Sequence, residues 1–134
     1  MNEVALTKKD ILINYRILLV DDRMENLLTL ENVIEKEGRK IIKAASGNEA
    51  LKIALSEKID LILLDVQMPE MDGYEAMKEI RKKSAFKQLP IIAITAKAMQ
   101  GDREKCIEAG ASDYITKPVN IEQLISMMKA WLYK

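Results

Sequence analysis

Short runs of Val, Ile and Leu alternate along the chain with longer segments whose apolar residues recur at three and four, the pattern of βα units around a parallel sheet. Five of each are predicted. Strands are expected at 16–20 (RILLV), 40–45 (KIIKAA), 60–64 (DLILL), 90–94 (PIIAI) and 113–116 (DYIT). Because ILLV, LILL and IIAI do not alternate apolar with polar, those strands should be covered by helices on both faces and form the sheet's interior.

The first helix is expected from Met24 to Lys36, with an imperfect apolar stripe of Leu27, Leu28, Glu31 and Ile34 helped by Leu30 and Val33, and Gly38 as its stop. In the second, Ser46 caps the amino end with Glu49 three residues on, a capping-box spacing, and Ala50, Leu51, Ala54 and Leu55 form the apolar face up to about Glu57. The third starts at Asp72-Gly73, where Asp72 is an N-cap. The fourth runs from Ala98 to Ala109 and stops at Gly110. In the fifth, Ile121, Leu124, Ile125, Met128, Trp131 and Leu132 give an amphipathic helix that reaches the C-terminus at Lys134, leaving no room for a following domain. Residues 1–14 fall outside this count as an extension or linker; LTKKDILINY fits a linker remnant, a short docking helix or an added strand, and composition does not choose. Residues 15–134 form one domain.

Composition narrows the function. The chain has 134 residues, 49% apolar and 31% charged, which suits a single domain that folds alone. Its 21 basic and 21 acidic residues cancel, and no basic stripe stands out, so neither nucleic acid nor an anionic membrane is an expected partner. No apolar stretch approaches the ~20 residues that span a bilayer, and MNEVALTKKD lacks the apolar core of a signal peptide. The lone Cys106 makes no internal disulfide and reads as a small buried apolar residue, which fits a reducing, cytoplasmic setting. The chain has no histidine, which removes His-based triads, His-ligated zinc and an internal phosphohistidine; any phosphohistidine must sit on another chain.

The chemistry lies at the strand ends. Asp21 and Asp22 close ILLVDD, Asp65 closes LILLD, Thr95 closes IIAIT and Lys117 closes YITKP. A single polar group there is ordinary, since Asp caps the helix that follows. Five together are not. In a doubly wound sheet, ligands bind outside the carboxyl ends of the strands, and neighbouring strands about 4.8 Å apart would let the carboxylates share one ion. Clustered carboxylates raise one another's pKa, and a hard cation such as Mg2+ relieves this.

These residues resemble the receiver domains of two-component response regulators over about residues 16–132. LLVDD (18–22), LLDVQMPEMDGYE (63–75), IIAITA (91–96) and GASDYITKPV (110–119) carry the likeness, each at the right strand end and in the right order. The resemblance implies an α/β, flavodoxin-like (βα)5 fold, a doubly wound five-stranded parallel sheet in the order 2-1-3-4-5. It implies that Asp65 accepts a phosphoryl group from the phosphohistidine of a histidine kinase or histidine phosphotransfer domain. Asp22, Asp65 and the Gln67 main-chain carbonyl would hold Mg2+ directly, with Asp21 acting mainly through water. A cis peptide at Lys117-Pro118 is implied as well.

Phosphoryl transfer needs an in-line nucleophile and compensation of charge on the transferring oxygens. Asp65 attacks, while Mg2+ and Lys117 offset the charge. The Thr95 hydroxyl can then donate to the phosphoryl group, and the resemblance implies that Tyr114 turns inward as Thr95 moves. Hydrogen bonds to charged groups contribute roughly 1.5–3 kcal/mol, so Thr95 and Lys117 together supply about 3–6, against about 5.5 for reversing a 1:99 population. The surface that changes is the fourth helix, fifth strand and fifth helix, where an output partner would bind. Gln67 and Lys97, two residues after Asp65 and Thr95, border the site and should tune loss of phosphate.

Three rivals remain. An Asp-nucleophile phosphatase or phosphotransferase would carry a second Asp where Gln67 stands. A nucleotide binder would need glycine in DDRMEN. An unphosphorylated pseudo-receiver scaffold would have lost a key residue. The domain is therefore expected to assist its own phosphorylation and dephosphorylation without turning over an external substrate. DDRMEN, with Asn26, and the 96–120 segment look similar to receivers attached to hybrid histidine kinases; a stand-alone regulator is the alternative.

Overall fold

The computed structural model describes residues 15–21, 31, 32, 34, 35, 40–66, 73–95 and 101–132. Five strands form one parallel sheet: β1 (Arg16–Val20), β2 (Lys40–Ala44), β3 (Leu61–Asp65), β4 (Ile91–Thr95) and β5 (Asp113–Thr116), in the order β2-β1-β3-β4-β5. The helices with both ends described are α1 (Gly47–Ser56), α2 (Gly73–Lys82), α3 (Asp102–Ala109) and α4 (Ile121–Leu132), the second to fifth of the predicted five. Of the predicted first helix, residues 31, 32, 34 and 35 are helical, while Leu27, Leu28, Leu30, Val33 and Gly38 lie outside the described residues.

The central strands are buried on both faces. Leu18, Val20, Ile62, Leu64, Ile91 and Ala93 pack under α1, α2 and α3, against Ala50, Met77, Ile80 and Cys106. Ile17, Leu19, Leu61, Leu63, Ile92 and Ile94 face the other way, onto Ile34 and the Leu124, Ile125, Met128 and Leu132 stripe of α4. This alternation explains the near-continuous apolar runs. Cys106 is fully buried, as a small apolar residue should be.

Strand bounds shift by a residue for local reasons. Asp60, expected in β3, stands before it: its carboxylate accepts from the Arg16 N–H at 2.8 Å and its own N–H donates to the Arg16 carbonyl. Pro90 lacks the donor a ladder needs, and β4 starts after it. Ala45 leaves β2 because its N–H donates to Glu49 Oε2 at 3.3 Å, while the Glu49 N–H donates to Ser46 Oγ at 3.1 Å, which is the predicted capping box.

Two helix expectations need correction. Leu55 is 60% exposed: the buried line of α1 runs through Gly47, Ala50 and Ala54, and Leu55 falls beyond its edge. The fourth predicted helix does not run through Gly101, which adopts φ +100, so α3 begins at Asp102; Ala98 lies outside the described residues. Gly110 ends α3 with φ +122, as expected of a C-terminal glycine.

Candidate functional site

The register of the sheet builds the site. Val20 pairs with Leu64, which sets Asp21 and Asp65 side by side one step further along β1 and β3. Asp65 pairs with Ile94, and Thr95 with Thr116, which sets Lys117 just past the end of β5. Asp21, Asp65 and Thr95 are each at most 2% exposed. They are the three buried polar or charged side chains among the described residues, and all three stand at strand ends on one rim.

Backbone bonds hold these ends in place. The Asp21 N–H donates to the Ala44 carbonyl at 3.1 Å, the Val66 N–H to Ile94 at 3.0 Å and the Lys117 N–H to Thr95 at 2.7 Å. The Lys117-Pro118 peptide is cis. From there Lys117 Nζ donates to Asp65 Oδ2 at 3.0 Å, reaching across the end of β4. A charge-assisted bond to a buried carboxylate is stronger than a neutral one, and salt screens it less than it would an exposed pair.

Asp22, Gln67 and Lys97 lie outside the described residues, as does Asp72. Among the described residues no three metal-ligating side chains gather. Asp21 and Asp65 nevertheless present two buried carboxylates on adjacent strands, hard oxygen donors of the kind that suit Mg2+. The residues present fit the predicted ion.

Tyr114 lies in register with Ala93, half-buried against the α1–α3 layer. Asp113 secures this strand twice: Oδ1 accepts the Tyr114 N–H at 2.8 Å and Oδ2 accepts Trp131 Nε1 at 3.2 Å. Trp131, expected only as part of an apolar stripe, therefore also ties α4 to β5.

Sequence reasoning missed the role of Gly73. It starts α2 and donates its N–H to the Val66 carbonyl at 3.1 Å. A Cβ there would lie 2.2 Å from Val66 Cα and 2.8 Å from the Asp65 carbonyl oxygen. The missing side chain lets the helix start press against the backbone that carries Asp65. The signal was the DG pair, read only as a helix start.

Residues 17–129 match the family model of the response regulator receiver domain. The polar-differentiation response regulator DivK of Brucella ovis is 36% identical over 116 residues, 87% of this chain and 94% of that protein. Among solved structures, the receiver domain of the sensor histidine kinase PA1611 of Pseudomonas aeruginosa, with a magnesium ion coordinated in its active-site cleft, is 38% identical. It aligns over 90% of this chain and 98% of that one, with a TM-score of 0.83. The chemotaxis protein CheY4 of Vibrio cholerae aligns at 30% identity over 88% and 98% of the two chains, with a TM-score of 0.83.

Proposed function

The chain belongs to the response regulator receiver domain family, and from that premise we propose that Asp65 is its phosphoacceptor, taking a phosphoryl group from a phosphohistidine on a partner protein. The observation that carries this reading is the 3.0 Å bond from Lys117 Nζ to Asp65 Oδ2 on a rim shared with buried Asp21 and Thr95.

Asp65 Oδ attacks the phosphorus in line, and the bond from phosphorus to the histidine nitrogen breaks, leaving an acyl phosphate. The new group brings about 1.5–2 negative charges into a rim that already holds carboxylates. Lys117 is placed to move from the carboxylate to the phosphoryl oxygens and offset part of that charge. Asp22, Asp65 and the Gln67 main-chain carbonyl would hold Mg2+ directly, with Asp21 acting mainly through water, and the ion would supply further charge compensation. The Thr95 hydroxyl donates to the phosphoryl group, and Tyr114 responds across the register it shares with β4. Output then leaves through α3, β5 and α4, toward a partner that binds this face.

The site is a switch input rather than a turnover centre, and Gln67 and Lys97 set how long the phosphoryl group lasts. The donor is a histidine kinase or histidine phosphotransfer domain in a cytoplasmic phosphorelay, with the hybrid-kinase setting preferred for this chain. No helix among the described residues is long and apolar enough to cross a membrane. Incubation with Mg2+ and acetyl phosphate, followed by mapping of the label, tests the assignment. Acyl phosphate on Asp65 alone is expected; label elsewhere, or sustained hydrolysis of small phosphoesters without labelled protein, would remove it.

A further inference from the structure

β5 is four residues long and, among the described residues, forms an edge of the sheet with β4 as its one strand neighbour. A slip of one residue in this strand would send every side chain to the opposite face. Such a slip would bring Thr116 or Pro118 to the position of Lys117. Asp113 ties the amino end of the strand to α4 through Trp131, and a second device holds it against the start of β4.

Arg81, near the carboxyl end of α2, does this. Its Nη1 donates to the Phe86 and Leu89 carbonyls, both at 2.6 Å, and its Nε to the Gly110 carbonyl at 2.9 Å. Its Nη2 donates to Ser112 Oγ at 3.3 Å. That hydroxyl oxygen also accepts the Ile91 N–H at 3.0 Å, while the Ser112 N–H donates to the Ile91 carbonyl at 2.7 Å. One guanidinium thus joins the lead-in to β4, the end of α3 and the residue before β5. The Arg81 stem also lies where a Cβ on Gly110 would be, 2.7 Å from its Cγ. A lysine ammonium, a compact point charge, does not reproduce this planar fork.

We propose that Arg81 is a positioning residue for phosphoryl transfer: by fixing the start of β5 against the start of β4, it sets the register that delivers Lys117 to Asp65. The inference rests on Asp65 as phosphoacceptor and Lys117 as its counter-ion, and assigns a distant residue to their alignment.

A double-mutant cycle tests it, with labelling by acetyl phosphate and Mg2+ as the readout. Arg81→Met keeps the stem and loses the donors; it should slow labelling about 10- to 100-fold, the scale of a misplacement remote from the chemistry. In the Lys117→Met background, followed over longer times, Arg81→Met should slow labelling by less than about twofold, because the residue it positions is gone. A structural role alone would lower the melting temperature and leave the two rate effects independent. Ser112→Ala, which breaks the link to Ile91, gives the same cycle if Arg81→Met does not fold. Independent effects, or an unchanged rate in the single variant, overturn the proposal. Failure of the unaltered protein to label Asp65 would instead overturn the phosphoacceptor reading beneath it.

Discussion

Lys117 Nζ meets Asp65 Oδ2 at 3.0 Å although 52 positions of sequence and one whole strand separate the two residues. Because β4 lies between β3 and β5, the two backbones stand roughly two strand spacings, about 9.6 Å, apart, a gap that the lysine side chain, the carboxylate and the bond between them span together. The lysine side chain passes over Thr95, whose carbonyl holds the Lys117 N–H at 2.7 Å. Acceptor, counter-ion and hydroxyl therefore share one short stretch of rim.

Replacing Lys117 should expose how much this pair contributes. Lys117→Met leaves the Asp65 carboxylate buried without its ammonium, a loss of 3–5 kcal/mol for a fully buried pair. The Lys117 side chain is 25% exposed, so water already competes and about 1–2 kcal/mol is expected. Thermal melts should fall by about 3–8 °C. Most of that loss should return in the Lys117→Met/Asp65→Asn double variant, where no charge is left to strand. The single variant should also label at least about tenfold more slowly, since a preorganised donor to the phosphoryl oxygens is gone.

Mg2+ should stabilise the folded chain, because a ligand that binds only the native state adds RT ln(1 + [L]/Kd). At ten times Kd this is about 1.4 kcal/mol, or a rise of roughly 4–6 °C in melting temperature. EDTA should reverse it, and Asp21→Asn should reduce it by at least half. A shift that survives unchanged in Asp21→Asn would place the ion elsewhere.

Much of this was legible because strand ends announce themselves. An uninterrupted apolar run that stops at a single charged residue fixes both the burial of the strand and the place of the charge, as LILLD does for Asp65. The capping box of Ser46 and Glu49 was equally open, being local in sequence. What stayed hidden depends on distant backbone. Gly73 matters only because the Asp65–Val66 chain lies 2.2 Å from where its Cβ would be. Arg81 matters through carbonyls, which every residue type carries alike, and its partner Ser112 stands 31 residues away. Leu55 was misassigned because α1 turns its small residues inward, so residue size, not hydrophobicity, decided the buried face.

Thr95→Val separates receiving the phosphoryl group from responding to it. Valine matches the shape of a side chain that is 1% exposed but lacks the hydroxyl. Labelling of Asp65 should continue, while the switched population falls by the value of one hydrogen bond to a charged group, about 1.5–3 kcal/mol, or roughly 10- to 150-fold. Trp131 is the only tryptophan and is bonded to Asp113 at the start of β5, so its emission on phosphorylation reads the response directly. Thr95→Ser should restore most of it. An undiminished emission change in Thr95→Val would remove Thr95 from the switch.

Gly73, Gly101 and Gly110 make a graded test of what each position demands. At Gly101 an added Cβ meets nothing within 4 Å, so alanine suffers only from φ +100, about 1–2 kcal/mol. At Gly110 alanine meets both φ +122 and the Arg81 stem at 2.7 Å; that stem is flexible, but moving it disturbs the fork on Phe86, Leu89 and Ser112. A loss of about 2–4 kcal/mol follows from strain plus one or two weakened bonds. Gly73 shows no positive φ, so alanine is refused there purely by space. Beside the Leu64 side chain, its neighbours are backbone atoms of Val66 and Asp65, which cannot rotate aside, so α2 must lift or the β3 end must shift. The expected cost is about 3 kcal/mol or more, at the upper end of overpacking. Gly73→Ala should also be the only one of the three to impair labelling beyond its effect on stability, because the atoms it displaces carry the phosphoacceptor. Urea titrations would rank the three variants, and labelling of each at equal folded fraction would separate the last effect from the others.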